Sequence, residues 1–337
     1  MKKAIHYHQL ENNNIQCLLC PHKCFMRPDE RGKCLVRINK SGMLLAENYG
    51  QVSAIHFDPI EKKPLYHFYP GSKILSIGTV GCNFSCGFCQ NCDISQKRVD
   101  EYPGLVTYSP HSLINIAGAD EENIGIAYTY NEPVVYFEYM LEIAVLAHEY
   151  KYKNVMVTNG FIESEPLRDL LPFMDAFNVD LKSFDNKFYK HHTGGRLLPV
   201  LNNLEMIRHE NKHLEITTLV IPDLNDDERV FREMILWIRD HLGSETILHL
   251  SKYHPANHYY MPATPENTLK NLFDIAKEYL PFVYLGNAYI NLGNNTICPD
   301  CGNVLINRTG YNVKITGLEN GSICKSCQSD LKQHIIL

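Results

Sequence analysis

Twelve cysteines fall into three groups of four, at 17, 20, 24 and 34, at 82, 86, 89 and 92, and at 298, 301, 324 and 327. The stretch of about 200 residues between the second and third groups has none, so the thiols mark three places in the chain. The opening MKKAIHYHQLENNN carries two lysines with no apolar run behind them, and no uninterrupted apolar run approaches eighteen residues, the length of about one membrane span. This predicts neither a signal peptide nor a membrane span, and a cytoplasmic location. In a reducing compartment, clustered thiols are metal ligands or redox groups rather than bridges. The central four, in GCNFSCGFCQNC (81–92), lie one or two helical turns apart, a poor geometry for pairing with each other.

A chain of 337 residues has room for two domains or for one large α/β domain with appendages, and the cysteine grouping favours the second. The formal charge of −6 and a pI near 6.2 argue against a nucleic-acid binder, because phosphate affinity needs clustered cations. The first fifty residues are locally basic, with eight Lys/Arg against four Asp/Glu. Arg27, Arg31, Lys33, Arg37 and Lys40 read as a solvated face.

Between the second and third cysteine groups, short apolar or β-branched runs alternate with helical stretches. KILSIGT (73–79), IGIAYTY (124–130), NVMVTN (154–159), AFNVDLK (176–182), LEITTLV (214–220) and TILHLS (246–251) read as buried parallel strands, with FVYLG (282–286) as a seventh. Ser109-Pro110, Asn225 through Glu228, and Thr264-Pro265 read as helix starts, the second as a capping box and the others with Pro at the first helical position. Successive βα units without a dinucleotide-binding glycine fingerprint predict an α/β fold, a partial or near-complete (β/α)6-type barrel over 73–290. An N-terminal Cys-rich segment (1–72) and a C-terminal four-cysteine appendage of zinc-ribbon or rubredoxin-like type (291–337) complete the organisation.

The central loop leaves the C-terminal end of the first barrel strand, where barrel chemistry sits. Cys82, Cys86 and Cys89, spaced C-x3-C-x2-C, suit three irons of a [4Fe-4S] cluster, whereas full ligation takes four cysteines. The open iron is then available to the amino and carboxylate groups of S-adenosylmethionine, whose reductive cleavage yields a 5'-deoxyadenosyl radical. Phe88 suits packing against adenine. A zinc site that recruits Cys92 is the alternative, although the spacing is not that of a ribbon. Glu132, before a helix starting at Pro133, is placed either to accept from the methionine ammonium or simply to cap the helix. Asp180 and Lys182 share one strand face, as cofactor contacts or as a structural ion pair. Asn159 ends its strand as a candidate donor to the same ligand.

The chain resembles the radical S-adenosylmethionine superfamily and, more narrowly, the AmmeMemoRadiSam radical enzymes, relatives of pyruvate formate-lyase activating enzyme. The likeness runs through CLLCPHKC, DPIEKKPLYHFYPGSKILSIGTVGCNFSCGFCQN, YTYNEP, VTNGF, NVDLKSF, LVIPDLND, HLSKYHP, VYLGN and CPDCGNVLINRTGY. It implies that Asn131 and Glu132 hold the methionine moiety, that Asp180 and Lys182 contact it near the radical's path, that LVIPDLND lines the adenosyl group, and that His254 lies near the cofactor. It implies a Memo-like and an AMMECR-type protein as partners, and an external reductant such as flavodoxin or ferredoxin. Cys92, where relatives are expected to carry an aromatic, reads as a packed or spare thiol.

Cys298, Cys301, Cys324 and Cys327 form two C-x2-C knuckles around a hairpin-rich span, a pattern for one tetrahedral zinc or iron. Cys17, Cys20, Cys24 and Cys34 suit zinc or an auxiliary iron-sulfur cluster. The C-terminal unit follows the loop leaving the last strand, which places it to close over or flank the barrel entrance. Two function classes remain: a radical enzyme, either of a three-component system or activating a glycyl-radical protein, and a metal-binding or electron-transfer module. Convergence of Glu132, Asp180 and Lys182 on the cluster is what separates them.

Overall fold

The computed structural model describes residues 1–288 and 290–337. Its centre is one eight-stranded sheet built from β1 (Ala54–Pro59), β2 (Lys73–Gly78), β3 (Asn123–Tyr128), β4 (Lys153–Thr158), β5 (Ala176–Asp180), β6 (His213–Val220), β7 (Ile247–Lys252) and β8 (Val283–Gly286). From β2 to β8 each strand pairs parallel with the next in sequence. All seven apolar runs read from the sequence are therefore strands, ordered as read. Helices follow most of them: α1 (Pro110–Ala117), α2 (Phe137–Glu149), α3 (Ser164–Leu170), α4 (Leu197–His209), α5 (Glu228–Leu242) and α6 (Glu266–Lys277). No pairing joins β8 to β1 among the described residues, so the sheet is open.

β1 pairs antiparallel with β2, Ala54 opposite Gly78, so the central sheet starts ahead of residue 73. Its sequence, AIHFDP, mixes polar, aromatic and proline residues and gives no clear alternation. The helix starts differ in detail. Ser109 caps α1 by accepting from Ser112 N, with Pro110 first in the helix. α5, however, is capped by Asp227. Asn225 instead accepts from Ile221 N at 2.6 Å and donates to Lys182 O at 2.7 Å, which ties the loop after β6 to the loop after β5. Thr264 likewise links the loops after β6 and β7, donating to Val220 O at 2.6 Å and accepting from Tyr253 N at 2.8 Å, and α6 begins one residue later than expected, at Glu266.

The N-terminal basic group is not a solvated face throughout. Arg37 is 1 % exposed and paired with Glu138 at the start of α2. An apolar side chain could not neutralise Glu138 there, and breaking such a pair strands a buried charge. Arg31 holds Glu47 with two bonds of 2.8 and 3.0 Å.

The C-terminal unit docks mainly at the N-terminal ends of the strands, against the segment that leads into β2, rather than over the cysteine loop, although its Tyr311 ring comes within 5.6 Å of Lys62 Nζ. Ile336 pairs with Phe68, and Arg308 donates to Tyr66 O at 2.6 Å and to Thr296 Oγ1 at 2.9 Å. Beneath the strands, Glu215 accepts from the backbone of Tyr66 and His67 and from the rings of His213 and His249, at 2.6 to 3.0 Å. A buried Glu near the start of β6 is tolerated there because four donors meet it.

Candidate active site

A cavity of about 800 Å³ opens at the C-terminal ends of the strands, and Cys82, Cys86, Cys89, Phe88, Asn131, Glu132, Asn159, Asp180 and Lys182 all line it. The volume lies in the range of roughly 300–1,000 Å³ that cofactor sites occupy. Residues about 100 positions apart in the sequence meet here because parallel strands present all their C-terminal ends on one side.

The cysteine loop is held from several directions. Ser85 N donates to Thr193 O at 2.9 Å, and Gly87 O accepts from His258 N at 3.0 Å. Asn257 and Gln96 both donate to Cys86 O, each at 3.2 Å. Three asparagines brace its start. Asn131 accepts from Thr79 N at 2.9 Å and donates to Gly81 O at 2.8 Å. Asn83 donates to Phe161 O at 2.7 Å, and Asn159 donates to Asn83 Oδ1 at 2.8 Å. In this structure Asn131 and Asn159 thus orient the loop, and Asn83, which sequence reading passed over, completes the set. Cys92 opens a short helical turn, Cys92–Ser95, and is not part of the cavity lining.

Glu132 is buried and uses both oxygens: Oε1 accepts from Thr158 Oγ1 at 2.6 Å and Val134 N at 3.1 Å, and Oε2 from Asn159 N at 2.8 Å. Burial pushes its carboxyl up to about 7 in spite of these donors. It caps the following turn and also faces the cavity. Lys182 Nζ lies 2.9 Å from Asp180 Oδ2 and 5.9 Å from the Phe88 ring centroid. Burial opposes its charge, but Asp180 outweighs it and holds the ammonium protonated. Burial pushes the Cys86 thiol up to about 12, with Lys182 acting against it; a metal would have to displace the proton.

Not every candidate reaches the cavity. His254 is exposed and lies outside the lining, and β7 contributes Ser251 instead. Of LVIPDLND, Leu219 lines it. Conversely, His56, Asp58, Lys62, Lys63 and Tyr130 form one part of the wall. Asp58 accepts from Lys63 at 2.8 Å, Lys62 at 3.1 Å and Tyr130 at 2.7 Å. The charges in DPIEKKP were the available signal, but nothing in the local pattern placed them inside.

At the C-terminal unit, Cys298 and Cys327 sulfurs are 3.6 Å apart and those of Cys301 and Cys324 3.7 Å. All four lie within 4.8 Å of one another. A tetrahedral ion with bonds of about 2.3 Å sets its sulfurs about 3.8 Å apart, so these residues fit one zinc or iron.

A parallel sheet with helices around it, carrying a three-thiol loop beside buried charged side chains at its strand ends, defines a cofactor-dependent α/β enzyme. Residues 76–235 match the model of the radical SAM superfamily, and the chain belongs to that superfamily as a radical SAM enzyme. It is 41 % identical over 330 residues, 97 % of this chain and 98 % of the relative, to the uncharacterized protein MJ0808 of Methanocaldococcus jannaschii. It is 22 % identical to the 4-hydroxyphenylacetate decarboxylase activating enzyme of Clostridium scatologenes, over 56 % of this chain and 64 % of that enzyme. In fold it is similar to Streptococcus suis SuiB bound to S-adenosylmethionine, with a TM-score of 0.50 and 14 % identity over 68 % of this chain and 53 % of that one. Membership implies a [4Fe-4S] cluster and S-adenosylmethionine, and the three free thiols on one cavity wall fit such a cluster. No helix among the described residues is long and apolar enough to cross a membrane.

Proposed function

We propose that this chain is the radical-generating component of an AmmeMemoRadiSam three-component system, acting with a Memo-like and an AMMECR-type protein and an external one-electron donor such as flavodoxin or ferredoxin. The observation that carries its radical chemistry is the meeting of Cys82, Cys86 and Cys89 with Glu132, Asp180 and Lys182 around one cavity. When bound, the cluster supplies the electron that cleaves S-adenosylmethionine to methionine and a 5'-deoxyadenosyl radical, which takes hydrogen from the substrate.

The chain's residues do the positioning. Cys82, Cys86 and Cys89 hold three irons. Glu132, poised near neutrality, becomes a firm anion beside an arriving ammonium, since an opposite charge favours ionisation. Lys182 meets the carboxylate, Asp180 keeps Lys182 charged and in place, and Phe88 offers its ring to adenine. The wall made by His56, Asp58, Lys62, Lys63 and Tyr130 is left for the substrate. The three-component assignment is supported by the likeness of HLSKYHP, VYLGN and CPDCG to those enzymes and by the C-terminal four-cysteine unit.

Anaerobic reconstitution should give a cluster whose spectrum changes on adding S-adenosylmethionine, and dithionite should then release 5'-deoxyadenosine. Cleavage that survives joint replacement of Cys82, Cys86 and Cys89 by Ala refutes the radical reading. For the system, deoxyadenosine release should become substrate-coupled when both partner proteins are added. A second reading, activation of a glycyl-radical enzyme, is favoured by the activating-enzyme relatives. A glycyl radical seen by EPR in a co-incubated target protein would select it.

A further inference from the structure

Cys17, Cys20, Cys24 and Cys34 surround a second, enclosed cavity, together with His22, Met26, Arg37 and Asn83. We propose that these four thiolates hold an iron-sulfur cluster, not zinc, and that it passes electrons to the cluster at Cys82, Cys86 and Cys89. The relay part rests on the radical reading above; the cluster itself does not.

Three observations point there. Among the described residues, the C-terminal four are the group whose ligand atoms fall within 4.8 Å of one another. The N-terminal four instead ring a cavity, as the three thiols of the radical loop do. A single ion draws its sulfurs together, whereas a cluster holds them apart around its own body of iron and sulfide. Second, Arg37 is fully buried and lines this cavity with Nε and Nη1 lacking any partner, while its Nη2 holds Glu138. Buried unpartnered N–H groups are rare in native proteins, and an anionic cluster with sulfide acceptors satisfies them. Third, Lys33 N already donates to Cys24 Sγ at 3.5 Å, the kind of amide contact that tunes a cluster's potential.

The relay follows from how the two cysteine groups touch. Gly81, one residue before Cys82, has φ +91°, and a Cβ there would lie 2.6 Å from Cys34 O. Only glycine permits this approach. On the other side of Cys82, Asn83 O is 2.8 Å from His22 Nε2, which sits between Cys20 and Cys24. Cys34, a ligand of one site, and His22, between two others, thus abut the two residues that flank Cys82, one through a backbone contact and one through a hydrogen bond. The electron balance is simple: a low-potential one-electron donor of the flavodoxin or ferredoxin class is oxidised, the N-terminal cluster is reduced and then reoxidised, and the radical cluster receives the electron.

The test uses the full chain with Cys82, Cys86 and Cys89 replaced by Ala, reconstituted anaerobically. It should retain acid-labile sulfide and an EPR signal on reduction, and lose both when Cys20→Ser and Cys24→Ser are added. In the native sequence, labile sulfide should exceed the about four per chain that one [4Fe-4S] cluster carries, and the two reduced clusters should broaden each other's EPR lines. Zinc in place of sulfide in the triple variant, or about four sulfides in the native sequence, overturns the cluster. Sulfide above four with unbroadened, independent signals overturns the relay and leaves the radical reading standing.

Discussion

Glu215→Gln isolates what holds the floor of the barrel. Oε1 accepts from His67 N and His213 Nε2, and Oε2 from Tyr66 N and His249 Nε2. Whichever way the new amide turns, its NH2 faces one backbone N–H and one imidazole nitrogen. The imidazole can change tautomer and accept; the backbone N–H cannot. Hydrogen bonds to a charged acceptor are worth about 1.5–3 kcal/mol, neutral ones about 0.5–1.5, and a stranded buried donor costs about 1–3. One stranded amide and two weakened bonds amount to about 3–5 kcal/mol, at the upper end for a single substitution. At about 2 °C per kcal/mol for a chain of this size, the unfolding midpoint should fall by ~6–10 °C. Burial raises the Glu215 carboxyl, but the two histidines overcome this and hold it well below the usual range. Its contribution is therefore complete above the unfolded-state value of about 4.3 and is lost as pH falls through the lower folded value. Anaerobic thermal unfolding between about pH 3 and 8, which brackets the unfolded-state value, with hydrogen exchange at Tyr66 and His67, measures both claims. A midpoint within 2 °C of the parent's, or unchanged protection of these two amides, refutes the reasoning by about its whole magnitude.

Lys182→Ala should retain the cluster and weaken S-adenosylmethionine binding by about one to two orders of magnitude, the worth of a charge-assisted bond; equal affinity in a titration would reduce the residue to a structural partner of Asp180. Glu138→Ala leaves Arg37 charged and buried and should cost about 3–5 kcal/mol, read as a lower denaturation midpoint, while Lys40→Ala, on an exposed pair with Asp29, should shift it by less than about 1 kcal/mol. Cys324→Ser should lower the metal content by about one ion per chain without removing labile sulfide, as elemental analysis against sulfide assay will show.

The sequence carried the barrel strands because a parallel strand covered on both faces is a continuous apolar run, and IGIAY or NVMVT has no other use. It carried the cavity's cysteines and charged residues because strand-end residues are gathered by topology. β1 escaped because an edge strand with one face toward the cavity reads HFDP rather than as alternation. Arg37 escaped because its partner, Glu138, is 101 positions away, and charge density alone cannot separate a buried cation from its solvated neighbours. The capping role of Asn225 went instead to Asp227, since the Asn side chain finds three backbone groups, one at the end of β6, one in its own loop and one in the loop after β5.

The C-terminal unit at the floor has a kinetic corollary. Arg308, Tyr66, His67 and Tyr284 interlock at the N-terminal ends of the strands, so the described residues cover the central sheet on that side. With that side covered, methionine and 5'-deoxyadenosine formed at the cysteine loop would leave toward the strand C-terminal ends, the side where the substrate would also enter, and the order of product departure would then become part of the rate law. Steady-state inhibition by deoxyadenosine should then be sensitive to whether the substrate is already seated above it.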